Sequence, residues 1–279
     1  MTGGLMPGLG PGSQKQEDDV ALDYMKMPEG MMTYHMPSLP PAKEAALVSE
    51  ALQRLEQVLE ALRHFRSAHP GFSVNISDLD HANTSFIDEV LGEGEVSIIA
   101  GSDRQIQESV LAGVWRARLT NADGTLVRDV IEIGHFPSGV IPASGFPAGI
   151  RPPADQTASG LLAAPSLLAE LHAVLTGAEG DTARHAINLS LLPHTEEDLA
   201  FLEDQLGGGT VHVLSRGYGN CRISSTGTRN VWWVRYFNSE DVLILNTLEI
   251  CTLPDVAQAA VEDIDDSAQR LSEILDIYR

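Results

Sequence analysis

Cysteine is scarce: Cys221 and Cys251 are the only two in 279 residues. Two thiols cannot make a disulfide scaffold or a four-cysteine zinc site. They lie thirty positions apart, with no C-x-x-C spacing and no H-x-E companion. His81 and His194 each stand alone locally, so a cysteine–histidine metal site has no motif behind it and no cofactor is expected. No apolar run approaches the ~18 residues of a membrane helix, so membrane insertion is not expected. The first thirteen residues lack both a basic region and an apolar stretch, which points to a cytoplasmic protein rather than a secreted one. Positive charge is also short. Lys and Arg total 18 against 39 Asp and Glu, a net charge of −21. Such a field repels a phosphate backbone and excludes general nucleic-acid binding. It keeps a chain soluble and attracts a basic partner. Signatures of nucleophilic and phosphate chemistry are missing too. There is no G-x-S-x-G elbow, and Gly207-Gly208-Gly209 is followed by no Lys-Ser/Thr pair. Gly217-Tyr-Gly219 lacks the spacing of a dinucleotide fingerprint. No catalytic constellation emerges, and no enzyme is expected.

Residues 1–41 hold all seven methionines, six glycines and six prolines. Without an amphipathic period, the segment is read as a disordered tail, with a Met/Tyr-rich part at 25–41 able to dock into a groove. Residues 42–68 place Leu47, Val48, Ala51, Leu52, Leu55, Val58, Leu59, Leu62 and Phe65 on one helical face, and His69-Pro70-Gly71 is expected to stop that helix.

Beyond this helix the sequence repeats itself. Phe72-Ser-Val-Asn-Ile-Ser77 matches His185-Ala-Ile-Asn-Leu-Ser190 at an offset of 113. FIDEVLGEGEV (86–96) matches FLEDQLGGGTV (201–211) at 115. Val114-Trp115, Arg118, Asn121, Glu132, Ile133 and Pro137 match Val231-Trp232, Arg235, Asn238, Glu249, Ile250 and Pro254 at 117. The expected fold is therefore α+β. It comprises two tandem duplicated units, each helix–strand–helix–β-meander, with a closing helix over 254–278. The divisions are a tail (1–41), a first repeat (42–137), a Pro/Gly linker (138–159) and a second repeat with its closing helix (160–279). Ser85-x-x-Asp88 and Thr195-x-x-Asp198 read as capping boxes, and Gly92 and Gly207 as helix stops. Asn121-Ala-Asp-Gly124 and Asn238-Ser-Glu-Asp241 read as hairpin turns.

The polar residues kept in both halves are Arg118/Arg235 and Glu132/Glu249. With Arg118 opposite Val127 and Glu132 opposite Gly113, the two side chains leave opposite faces, which argues against a salt bridge across the hairpin and leaves bonds to other strands or to buried backbone, or partner recognition, as their roles. The second half adds residues of its own: Arg216, Tyr218, Asn220, Cys221, Arg222, Arg229 and Trp233 beside Arg235. Arginines and aromatics around a Gly-rich turn suit a partner-binding surface. The competing role for Trp232 and Trp233 is core filling, and their alternation requires cover on both faces. Cys221, in that Gly-rich turn, is expected to be the more exposed thiol, with Cys251 buried in a strand.

Gly217-Tyr-Gly-Asn-Cys-Arg-Ile223 and Asn230-Val-Trp-Trp-Val-Arg-Tyr-Phe-Asn238 resemble the hydrogenase expression/formation family called HupH, HoxQ or HyaF. So do Leu248-Glu-Ile-Cys251, Leu91-Gly-Glu-Gly-Glu-Val-Ser97 and Glu262-Asp-Ile-Asp-Asp-Ser-Ala-Gln-Arg-Leu-Ser-Glu273. The resemblance implies a cytoplasmic accessory protein of a membrane-bound uptake NiFe hydrogenase. It implies a chaperone that binds the iron–sulfur small-subunit precursor, with its twin-arginine signal, before export. A thioredoxin-like maturation protein is the implied second partner. It supplies no catalytic residue. The alternatives are a cofactor or redox carrier using Cys221, and a scaffold joining maturation factors.

Overall fold

The computed structural model describes residues 47–65, 72–140, 160–177, 184–217 and 219–279. The tail 1–41, most of the linker and Tyr218 lie outside the described residues.

The apolar stripe of the first helix forms α1, Ser49–Arg63, and buries Ala51, Leu55, Val58, Leu59 and Leu62. Its described extent is shorter than the stripe suggested. Leu47 precedes it and is 70% exposed, and Phe65 lies past the C-cap, packed edge-on against His135. Then follow β1 (Phe72–Asn75), α2 (His81–Leu91), β2 (Val96–Ala100), β3 (Arg104–Glu108), β4 (Val114–Thr120) and β5 (Leu126–Ile133). The second half gives α3 (Ala164–Gly177), β6 (His185–Asn188), α4 (Glu196–Leu206), β7 (Gly208–Ser215), β8 (Asn220–Thr226), β9 (Val231–Phe237) and β10 (Leu243–Ile250). It closes with α5 (Val261–Asp276). Mixed helices and antiparallel strands make the class α+β.

All ten strands join one sheet, in the order β1-β5-β4-β3-β2-β7-β8-β9-β10-β6. The order reads the same outward from the centre in both halves. The central pair is antiparallel, with Ile98 opposite Val213, Val96 opposite Ser215 and Ala100 opposite Val211. At the sequence offset of 115, Val96 corresponds to Val211 and Ala100 to Ser215. The seam is therefore self-complementary about Ile98 and Val213. Each half covers what would otherwise be the other's open edge strand.

Local signals place the helices. Thr195 and Asp198 form a reciprocal capping box at the start of α4, and Gly92 and Gly207 close α2 and α4 at positive φ. Ser85 is not a cap. Asp80 lies earlier, and its carboxylate accepts from the Asn83 backbone and side-chain nitrogens (2.9 and 2.8 Å), so α2 begins at His81 and Ser85 falls inside it. The Asn83 side-chain oxygen accepts from the Ala51 N–H at 2.8 Å, which fixes α2 against α1. Both hairpin turns form as expected. The side-chain oxygens of Asn121 and Asn238 each accept from the backbone N–H two and four residues on.

The hairpin register differs from the expected one by two residues. Arg118 faces Asp129 and Glu132 faces Trp115, because a bulge displaces the strand near Val127. A shift of two preserves side-chain parity, so Arg118 and Glu132 do leave opposite faces. A matching irregularity occurs at Ile244 in the other half.

One core cluster joins α1, α2 and α5 to Trp115, Ile98, Ile106, Val213, Ile223, Trp232 and Val234. A second joins α3 and α4 to Ile187, Val231, Trp233, Leu248 and Ile250. Trp232 and Trp233 thus lie in separate cores, on opposite faces of β9. No helix among the described residues is long and apolar enough to cross a membrane.

Candidate functional site

Cross-strand registers place two polar rows on the face that carries α2 and α4. One runs Arg118, Gln105, Ile99, His212, Ser224 and Trp233; the other runs Arg116, Gln107, Ser97, Leu214, Arg222 and Arg235. The helices sit over the outer parts of these rows. Arg118 reaches Asp88 of α2 at 3.4 Å, and Arg235 reaches Glu203 of α4 at 2.7 Å. Asp88 and Glu203 are equivalent in the two halves, so the repeated arginine ties strand to helix in each. Between the helices the floor is exposed at Ile99, Gln105, His212 and Arg222. A hollow of about 670 Å³ opens beside α2, lined by Asp88, Gln105, Gln107, Arg116 and Arg118 among others.

The halves differ at a buried polar pair on this face. In the first, the Arg116 guanidinium donates to Asp129 (3.0 and 2.7 Å) and forms an ion pair with Asp88. In the second, Trp233 replaces the arginine and bonds the side chain of Asn246, while Arg235 stacks 4.5 Å above the Trp233 ring.

The sequence-nominated residues separate into groups. Arg222 and Arg235 come together, directly opposite across β8 and β9. Arg222 pairs with Asp241 at 2.7 Å and lies 4.2 Å over the Phe237 ring. Trp233 shares their face but is buried beneath α3 and α4, so it supports the surface from below. Arg216 and Asn220 stand at the β7–β8 turn, where the Arg216 N–H donates to the Glu95 carbonyl. Arg229 is exposed at the opposite end of β8. Tyr218 falls outside the described residues.

Cys221 is not the exposed thiol that its Gly-rich neighbourhood suggested. It is 1% exposed, on the face opposite Arg222, because β8 begins at Asn220 and its second residue turns into the core. Burial pushes the Cys221 thiol up to about 11 and the Cys251 thiol up to about 12. At pH 7.5 each thiolate fraction is then below about one in a thousand, too little for a nucleophile or carrier. Both thiols should resist iodoacetamide in the native protein and react promptly in denaturant; rapid native labelling of Cys221 would overturn this placement. Among the described residues no three His, Cys, Asp or Glu side chains converge to hold a metal.

The signal that sequence reading missed was the helix carboxylate. Asp88 and Glu203 sit inside the repeated helix motif, and pairing them with Arg118 and Arg235 explains why those arginines recur.

The class defined here is an α+β protein on one antiparallel sheet, with an open arginine-bearing face. The family model described as "HupH hydrogenase expression protein, C-terminal conserved region" matches residues 48–145 and again 161–278. The chain belongs to the HupH family. It is 45% identical to the hydrogenase expression/formation protein HupQ of Azotobacter chroococcum mcd 1, over 97% of this chain and 96% of that one. It is 43% identical to HoxQ of Cupriavidus necator, over 96% and 94% of the two chains. Identity to HupH of Rhodobacter capsulatus is 41%, over 98% and 96%.

Proposed function

We propose that this protein serves hydrogenase expression and formation as a non-catalytic cytoplasmic chaperone. Its client is the iron–sulfur small-subunit precursor of a membrane-bound uptake NiFe hydrogenase, held before twin-arginine export. A thioredoxin-like maturation protein is its second partner. The observation that carries this reading is family membership along nearly the whole chain, since the relatives are named hydrogenase expression/formation proteins. The geometry adds two supports. Both thiols are buried and protonated, which disfavours the carrier alternative. The open face offers paired arginines beside aromatic rings, a composition common at binding hot spots.

The same reading includes tandem duplication of one α+β unit. Its supports are the double match of one family model, the shared element order and the self-complementary seam. After duplication only the second half carries Arg222 over Phe237 and Arg235 over Trp233, so the client contact is assigned there.

The decisive test is co-purification with the small-subunit precursor. The wild-type chain is expected to retain it. Arg222→Ala and Arg235→Ala are each expected to weaken retention by about thirtyfold, the effect of losing an anchor worth about 2 kcal/mol. Trp233→Ala is a poor probe, because it opens the core. Loss of retention with Gln105→Ala and Arg118→Ala, but not with the second-half variants, would move the contact to the first half. Failure of the wild type to retain the precursor would reject the chaperone role.

A further inference from the structure

The two outer edges of the sheet share one backbone arrangement, with β1 covering only residues 130–133 of β5 and Ser77 bonded to the Asp129 N–H, but they differ in side chains. Strand β6 covers only the second part of β10, pairing with residues 247–250. Residues 243–246 have no outer strand among the described residues. The chain leaving β6 turns instead through a 3-10 segment, Leu189–Leu191, that runs beside β10, and the Ser190 hydroxyl accepts from the Asn246 N–H at 2.9 Å. Five apolar side chains collect along this edge in the open: Leu191 (79% exposed), Leu192 (38%), Val242 (52%), Leu243 (45%) and Ile244 (60%).

Topologically equivalent positions in the first half are more polar. Asp78, Leu79, Thr125, Leu126 and Val127 stand there, and Asp78 is held by Arg54 at 2.8 Å. Next along the strand, Arg128 in the first half corresponds to Leu245 in the second. Leu126 and Val127 are exposed as Leu243 and Ile244 are, but Asp78, Thr125 and Arg128 of the first half stand where the second has Leu191, Val242 and the half-buried Leu245, and exposed apolar surface of that kind does nothing for solubility. The rim is acidic. Glu240 and Asp241 precede Val242, and Glu196 and Glu197 open α4 a few residues beyond Leu192. Asp241 is paired with Arg222; among the described residues no cation is bonded to Glu196, Glu197 or Glu240.

We propose that this edge is a docking site for an apolar segment flanked by cationic residues. The inference rests on the client reading above and assigns the precursor's basic, apolar leader to this edge, apart from the arginine face. Charge decides the occupant. A second copy of this chain would bring its own acidic rim and a net −21 against the first. A cationic flank meets Glu196, Glu197 and Glu240, while the apolar stretch covers Leu191 and Ile244. The contact is made by side chains and not by strand addition. The bulge at Ile244 and the Ser190 bond to Asn246 remove the regular row of backbone groups that an added strand requires.

The test uses the full chain and a fluorescent leucine–alanine peptide with arginines at its N-terminal end, against the same peptide carrying glutamates instead. The wild type is expected to bind the arginine peptide at least about tenfold more tightly than the glutamate peptide, with affinity falling as salt rises. Leu191→Asp and Ile244→Asp, exposed positions that leave the core intact, are each expected to weaken binding by at least about tenfold. Val127→Asp on the equivalent first-half edge should bind as wild type. Equal binding of the two peptides, an unchanged Ile244→Asp, or loss with Val127→Asp would overturn the site. So would a dimer of the wild type that Ile244→Asp dissolves, because the edge would then belong to a second copy. Peptide binding lost in Ile244→Asp while the wild type fails to retain the precursor would reject the client and keep the site. Precursor retention with equal peptide binding would do the reverse.

Discussion

Arg116→Ala is expected to destabilise the protein by about 3–5 kcal/mol, the usual cost of removing one partner from a buried ion pair. Arg116 is 8% exposed and Asp129 only 3%. Without the guanidinium, the Asp129 carboxylate stays in the core with, among the described residues, no opposite charge against it but Arg118, whose Nε is 3.7 Å away and whose side chain is half exposed. At this chain length the loss corresponds to a drop of about 10 °C in melting temperature. Replacing both partners by Met and Leu should recover most of it, since no buried charge is then orphaned. A single variant that melts with the wild type would show that water reaches Asp129. The second half supplies a natural comparison, because Trp233 and Asn246 occupy the equivalent sites as a neutral hydrogen-bonded pair.

Asp198→Ala should cost about 3 kcal/mol or more at neutral pH, because one fully buried carboxylate serves two helices. It accepts from the backbone N–H groups of Leu162, Ala163 and Ala164 at the start of α3 (3.0, 3.0 and 2.9 Å) and from Thr195 at the start of α4 (2.9 Å). Burial by itself would raise its pKa; the four N–H donors outweigh burial and hold the group down at about 2, below the ordinary 3.8. A depressed carboxylate pKa means that the unfolded chain takes up the proton first. The stabilisation is therefore complete above pH ~4 and is lost as pH falls toward 2. Denaturant midpoints measured from pH 7 down to pH ~2.5 should show that loss in the wild type and a flatter profile in Asp198→Ala. Equal slopes in the two proteins would place the acid sensitivity elsewhere.

Sequence reading succeeded where interactions are local. The α1 stripe, the Thr195–Asp198 box and the Asn121 and Asn238 turns each depend on residues within a few positions of one another, so their chemistry is visible in order along the chain. The α2 start was misplaced because two capping signals compete within one turn, and a carboxylate at Asp80 with Asn83 beyond it prevails over Ser85. The exposure of Cys221 was misjudged because neighbouring glycines describe the turn, whereas the face of the next strand decides burial. Nothing local announces the β2–β7 seam. Its sign was the offset of 115, which becomes a statement about pairing only once the strands are known to meet head to tail. The site is legible to a similar degree. Arg222, Trp233 and Arg235 stand out by composition, but their division into surface pair and buried support follows from the cover of α3 and α4 over Trp233; strand parity separates Cys221 from them, and Arg229 lies beyond the far end of β8.

The closing helix α5 belongs by sequence to the second half, yet it packs against α1 in the first. Ile264, Leu271 and Leu275 join the α1 core, the Arg279 guanidinium grips Glu56, and Tyr278 meets the Phe86 ring. A nascent chain that has left the ribosome only as far as β5 therefore lacks the α5 cover of its α1–α2 layer. Domains commonly fold in order of synthesis; here the earliest helix waits through translation of the entire second half for its cover. A premature stop after β10 would leave all ten described strands encoded and still strip the first half of its α5 lid, so the codons for α5 govern the folding of the α1–α2 layer.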